Sequence, residues 1–547
     1  MIGLGNSMSF PMMHANFSRV ISAGRACGAG LLIACFGLTA TRASAAVLLW
    51  DSDSVGGVAN DGTGTWENGV GTDWVSGGSN VLWNNANGDT AAFGDGVTTG
   101  GVTSTVTVAA GGVTVGGINF NAQANNGSLS LFRIQGGMVT LNDGAAIHNL
   151  ATTDSALHSI DGALFTTGTV TLKGRRFWMS NTSFGGGGTL NIETTGQALF
   201  RNGGAFDGLS VINLNSGGID IRGGSGGYNY AAGTTLNVNE SLSLNSNSLN
   251  AGVMVNWLGP VVVKGTKTLS LTPVNAAATT LRMSEVISES GGVGNVTVNG
   301  SAASTTIFAN ANTYTGRTRV LAGNLQVGAA GVGATGSGLV TVESATAMLS
   351  GTGTVRGATT ISSGASLRPG DGTGSGVTFL AGGGVGKLTF SDVTANSLIL
   401  ATGSTTFLTL AGATGNEANP LDGIQTVGLL TGGLGAHDQI SVAGSLTLNT
   451  GSTIQVSLGT GYSPVFGDVF NLLDWATTSG ALLPNAFNVN TDLVLETSAA
   501  MTLNGWSWDR SQFLSSGVVY VVPEPGRMLL LTVGLFGWLI RRDKKRV

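Results

Sequence analysis

The sequence predicts an all-β body of short strands, and of the all-β architectures it favours a β-solenoid. Three observations carry that expectation. Glycine accounts for 90 of 547 residues, proline for only 9 and charged residues for 10%, and the glycines show no three-residue period, which excludes collagen. Alternating apolar and polar runs recur between Gly, Asn and Ser breaks, the pattern of half-buried strands joined by tight turns. The apolar pairs Val170/Leu172, Leu190/Ile192, Ile212/Leu214 and Leu236/Val238 follow one another at 20, 22 and 24 residues, a loose interval that suits stacked turns with loops of varying length. A set of β-sandwiches fits the same runs. The interspersed Val, Leu, Ile and Thr can supply strands and a core, which argues against disorder.

Residues 1–45 contain Arg19, Arg25 and Arg42, no acidic residue, and an apolar run from about Ala26 to Leu38. Ala43-Ser44-Ala45 then stands just before Ala46. A basic region, an apolar region and a small-residue site make a secretory signal peptide, cut between Ala45 and Ala46 by signal peptidase. The long leader leaves Met8, Met12 or Met13 as alternative starts, and Leu32-Ile33-Ala34-Cys35 offers a rival lipoprotein-type site. Cys27 and Cys35 both lie in the leader, so the mature chain has no thiol for disulfides or metal ligation.

Between Val47 and Gly94 fall four of the ten tryptophans, Trp50, Trp66, Trp74 and Trp83. They would form either a cap over an exposed sheet edge, the favoured reading, or an aromatic platform for sugar rings. From about Gly101 to Gly300, runs such as Thr169 to Lys173, Thr189 to Glu193, Val211 to Asn215, Thr234 to Asn239 and Thr268 to Thr272 read as successive strands with no helix between them.

Asn310 to Gly316 reads NANTYTG and Arg317 to Gly328 reads RTRVLAGNLQVG. Here Asn312-Thr313 can open a turn, Gly316 can close it, and Leu325 and Val327 share a strand face. This stretch resembles the autotransporter-associated β-strand repeat, with Arg317 and Arg319 as departures expected to face solvent. The segments Ser350 to Val355 and Ser363 to Gly370 continue the likeness. The resemblance implies a right-handed parallel β-helix displayed outside the cell, often adhesive, with no catalytic residues in the repeat. From His437 to Val521 a second dense patch holds Trp475, Trp506 and Trp508, read as a distal cap, with sugar binding as the rival.

The chain ends in Val522-Pro523-Glu524-Pro525, an apolar run from Met528 to Ile540, and a basic cluster that includes Arg541 and Arg542. As a helix, thirteen residues reach only about 20 Å against a hydrocarbon core of about 30 Å. The basic cluster would stay cytoplasmic. The prolines are expected to hold an extended segment, poor in backbone hydrogen bonds, that an enzyme grips without unfolding anything. These residues resemble the PEP-CTERM sorting signal of Gram-negative bacteria. That resemblance implies transient insertion in the inner membrane, cutting near Pro523-Glu524-Pro525 by an exosortase, and release or transfer to the cell surface. A plain tail anchor is the rival.

The chain thus divides into a signal peptide (1–45), a β-solenoid with a Trp-rich N-terminal cap (46–300), the repeat region with distal β-rungs (301–521) and the sorting signal (522–547). Residues 46–525 carry 15 basic and 28 acidic side chains, net −13, which argues against nucleic acid or an anionic membrane surface as partner.

No metal, phosphate or nucleophile motif stands out. His148, His158 and His437 are scattered and read as turn or surface residues. Gly331, Gly333 and Gly336 match Gly-x-Gly-x-x-Gly with no helix after them. Asp51/Asp53 and Glu285/Glu289 are candidate carboxylate pairs, read as solubilising strand surfaces rather than a glycosidase site. The expectation is a non-enzymatic, cofactor-free surface or extracellular-matrix protein of structural or adhesive role, with surface polysaccharide as a further candidate partner. A β-helical polysaccharide lyase or hydrolase and a sugar-binding module are the alternatives.

Overall fold

The computed structural model describes residues 45–96, 103–122, 131–153, 158–201, 203, 205–223, 227–247, 252–274, 279–328, 331–370, 384–412, 437–476 and 480–524. The expected leader up to Ser44, together with Pro525, the apolar run from Met528 to Ile540 and the Arg541-Arg542 pair, lies outside the described residues. Among the described residues the fold is nearly all β, 54% strand with two short helices, Ala499–Asn504 and Phe513–Ser516. No helix among the described residues is long and apolar enough to cross a membrane.

The alternation read in the sequence becomes parallel pairing. The four apolar pairs stand in direct register, Val170 beside Leu190, Ile212 and Leu236, and Leu172 beside Ile192, Leu214 and Val238. Val261 and Val263 continue both rows. A second set of rows passes through Ala198, Ile219, Leu244, Leu271, Val298, Val320, Val342, Ile361, Leu400 and Leu448. Every one of these side chains is buried. Because side chains alternate between faces, each in-register strand adds to a continuous apolar column. Burying one Val, Leu or Ile contributes about 1.5–3 kcal/mol.

Antiparallel pairing of named strands occurs in only two places among the described residues, the N-terminal aromatic region and the C-terminal sheet. The body is therefore not the antiparallel sandwich that the runs also allowed. The row continues across residue 300, Val298 pairing with Val320.

On the face opposite the apolar rows, amides bond from strand to strand. Asn213 Nδ2 donates to Asn191 Oδ1 and Asn237 Nδ2 to Asn213 Oδ1, both at 2.9 Å. Two residues along, Asn215 Nδ2 donates to Glu193 Oε1 (3.0 Å) and Asn239 Nδ2 to Asn215 Oδ1 (2.7 Å).

The Asn-Thr-Tyr-Thr-Gly turn is held by its own side chains. Asn312 is buried, accepting the Ile287 N–H and donating to the Ala334 carbonyl, both at 2.8 Å. It thus joins the strand before it to the segment after it. Tyr314 is buried with its hydroxyl 2.7 Å from Thr318 Oγ1. Gly316 is required by close approach, since a Cβ there would stand 2.1 Å from the Gly294 carbonyl oxygen. Arg317 is exposed as expected, whereas Arg319 lies against Glu343 of the following segment at 2.6 Å.

Candidate functional site

The residues expected to be processed lie at the two margins of the described body. Val47–Trp50 pairs in parallel with Thr90–Phe93 and antiparallel with Trp74–Ser76, so the chain enters as an inner strand. Ala45 is exposed, and Ala46 is the last residue before that strand. The Ala46 N–H donates to Asp89 Oδ1 at 2.8 Å, and the Ala46 carbonyl accepts the Thr90 N–H at 2.8 Å.

At the other margin, Val518–Pro523 lies between Val469–Asn471 and Trp506–Asp509, antiparallel to both. Val518 to Val521 are buried, Pro523 stands opposite Trp506, and the exposed Glu524 donates its N–H to the Gly505 carbonyl at 2.8 Å. This corrects the expectation of a segment poor in hydrogen bonds. An extended backbone accepts proline at a strand end, where one missing donor is tolerated, and the unbroken run Val518-Val519-Tyr520-Val521-Val522 before it carries the strand into the motif. The boundary expected at residue 522 therefore falls inside a strand.

The four N-terminal tryptophans are not a platform. All are at most 1% exposed, which removes the faces that would stack on sugar rings. They pack on one another, Trp50 to Trp74 at 5.3 Å, Trp66 to Trp83 at 5.0 Å and Trp74 to Trp83 at 4.9 Å between ring centroids, with Phe93 beside them. Edge-on and tilted contacts of this kind add to the burial itself.

Nor are two of the histidines surface residues. His158 is buried, stacked on Phe120 at 4.6 Å, and accepts the Phe132 N–H on Nδ1. Burial pushes its pKa down to about 4. His437 is buried with Nε2 3.1 Å from the Asn471 carbonyl, and burial likewise lowers it. Only His148 keeps partial exposure, on a strand beside Lys173.

The two carboxylate pairs are held differently, Asp51 and Asp53 acting on one another. Asp51 is buried with Asn80 Nδ2 on its Oδ2 at 2.6 Å, and burial raises its pKa. Asp53 is held low, chiefly by the Asn60 amide. Glu289 closes a turn by accepting from Thr315 Oγ1 and the Gly294 N–H, each at 2.6 Å, while Glu285 is exposed. Gly331 lies in a turn, and Gly333 and Gly336 in irregular backbone beside the bridge at Ala334, with no helix to follow. Among the described residues no group of three His, Cys, Asp or Glu side chains gathers to hold a metal.

Sequence reading passed over Asp438. Its buried carboxylate accepts the Gly386 N–H on Oδ1 (2.9 Å) and the Thr409 N–H on Oδ2 (2.8 Å), so it ties segments 52 and 29 residues away. Burial, opposed by those bonds and by Arg368, raises its pKa to about 7. Only the neighbouring apolar run of Ile440 and Val442 hinted at an interior position.

The PEP-CTERM protein-sorting motif matches residues 521–545. It marks the chain as exported, secreted or displayed at the cell surface, with exosortase as its sorting partner. No curated protein matches the chain.

Proposed function

We propose that this chain is a non-enzymatic structural or adhesive protein of the cell surface or extracellular matrix of a Gram-negative bacterium. Its body is a right-handed parallel β-helix carrying the autotransporter-associated repeat at Asn310 to Gly328. The observation that carries the reading is the sorting motif at residues 521–545, which starts inside the last strand of the body. An exported body continuous with its own sorting signal is delivered as one folded piece. Strand-to-strand register at intervals of 19 to 27 residues from Ala198 to Ile361 supports the helix, because each turn then returns to the same face. The amide rows at Asn191, Asn213 and Asn237 support a passive, repetitive surface. In this reading the short apolar tail inserts transiently in the inner membrane and the exosortase removes it.

The test is mass-spectrometric mapping of the C-terminal peptide on protein from medium, cell surface and inner membrane. The expected result is a terminus at or beyond Glu524 with Met528 to Val547 missing, in surface or medium fractions. A tail found intact in the inner membrane sinks the reading and makes the chain a periplasm-facing anchored protein.

A further inference from the structure

We propose that removal of the leader creates a structural ion pair: the new α-ammonium of Ala46 pairs with the Asp89 carboxylate and locks the first strand of the body. The inference rests on the export reading, since that is what brings signal peptidase to the chain. Its physical basis lies on either side of one peptide bond. Asp89 is 3% exposed. Its Oδ1 accepts the Ala46 N–H at 2.8 Å, its Oδ2 accepts Asn87 Nδ2 at 3.1 Å, and no Lys or Arg is ion-paired with it among the described residues. A buried carboxylate that receives only neutral donors is poorly compensated. The backbone around it is fixed: the Thr90 N–H donates to the Ala46 carbonyl, the Gly116 N–H donates to the Asp89 carbonyl, and Val47 stands in register with Thr90.

The cut supplies the missing cation. Water adds across the Ala45–Ala46 peptide bond and the C–N bond breaks. Ala45 departs with the carboxylate, and the Ala46 amine takes up a proton. One amide N–H becomes three ammonium N–H groups at the same position, and a neutral contact becomes charge-assisted. Ala45 is exposed, and the first strand of the body begins at Val47, so the bond lies at the margin of the fold. A cut one residue later would remove the nitrogen that Asp89 holds. A cut upstream would leave Asp89 facing an amide.

The α-amino group ordinarily titrates near 8. Pairing raises its folded value, so the stabilisation is fully present below about pH 8 and is lost as pH rises through the folded pKa. Three measurements test this on the full chain. N-terminal sequencing of the exported protein reads the cut alone, and Ala46 is expected. Competitive amine labelling at pH 8 reads the lock. The Ala46 amine should react about fivefold more slowly than a free peptide amine, as a one-unit rise in pKa from about 8 requires at that pH. Thermal unfolding of Asp89→Asn compares the exported protein with precursor accumulated under signal-peptidase inhibition. The substitution should lower the midpoint more in the exported form and abolish its decline between pH 7 and 9.5, with neither effect in the precursor. A first residue other than Ala46, full amine reactivity, or an equal effect of Asp89→Asn in both forms overturns the proposal. Labelling of the native side chains still decides if Asp89→Asn does not fold.

Discussion

The two margins of the body are both closed by an inner strand, yet they are built from different materials. At the N-terminal margin, Val47–Trp50 enters beside four buried tryptophans and Phe93. At the C-terminal margin, Val518–Pro523 lies between two antiparallel strands with buried Val518, Val519, Tyr520 and Val521. The first margin draws its stability from a few large side chains, the second from backbone pairing on both sides of one strand. Their relation to processing differs as well. The fold starts one residue after the expected leader cut, whereas it runs into the sorting motif. A cut within Val518–Pro523 would dismantle a sheet, and a cut after Glu524 would leave it whole.

The largest effect expected is from ending the chain at Gly517. Without its central strand the C-terminal sheet should be lost, with new protease cuts between residues 462 and 517. The near-ultraviolet circular dichroism of the N-terminal tryptophans should persist. Cuts that spread into residues 47–93 would show instead that the two margins are one cooperative unit.

Trp74→Ala should come next, at about 3–5 kcal/mol. It should erase the tryptophan signal while leaving proteolysis of residues 462–523 unchanged, as followed by chemical denaturation.

Two buried titratable groups sharpen the contrast by opposing pH signs. His158, lowered to about 4, binds its proton more readily unfolded. Its contribution, about 3 kcal/mol by linkage, is present above pH 6.5 and is lost as pH falls through 4. Asp438, raised to about 7, binds its proton more readily folded. Stability on that side is greatest below the unfolded value near 4 and falls as pH rises through 7. Unfolding midpoints between pH 3.5 and 8 should therefore lose their acid-side slope in His158→Phe and their neutral-side slope in Asp438→Asn. Identical profiles in wild type and variants would remove both groups as determinants.

The smallest effect belongs to the half-buried surface pair of Arg319 and Glu343. Arg319→Ala should cost about 0.2–1 kcal/mol, and raising salt to 1 M should erase the difference in denaturant midpoint. A salt-independent loss above that range would mean the side chain supports packing rather than charge.

Much of this was legible because the apolar pairs repeat. The row through Val170, Leu190, Ile212 and Leu236 needs only alternation and interval to be read, and both are local. Later intervals of 39 and 48 residues, from Ile361 to Leu400 and on to Leu448, hide the same register behind long excursions. Burial of a polar group is not local either. His158 and Asp438 look like any scattered His or Asp, and only partners 26, 29 and 52 residues away make them interior. Tryptophan clustering announced a special N-terminal region, but whether rings face water or one another is decided by the strands that carry them. The valines before Pro523 alternated with nothing polar, so the strand there had no pattern to betray it and the prolines dominated the reading.

The place of Val518–Pro523 has a consequence in time. A ribosome makes this strand after both of its neighbours, Val469–Asn471 and Trp506–Asp509, which must wait with a gap between them. Translocation delivers it last as well. The final gap in the body can therefore close only when the sorting motif itself arrives, so completion of the fold and presentation of the address become a single event.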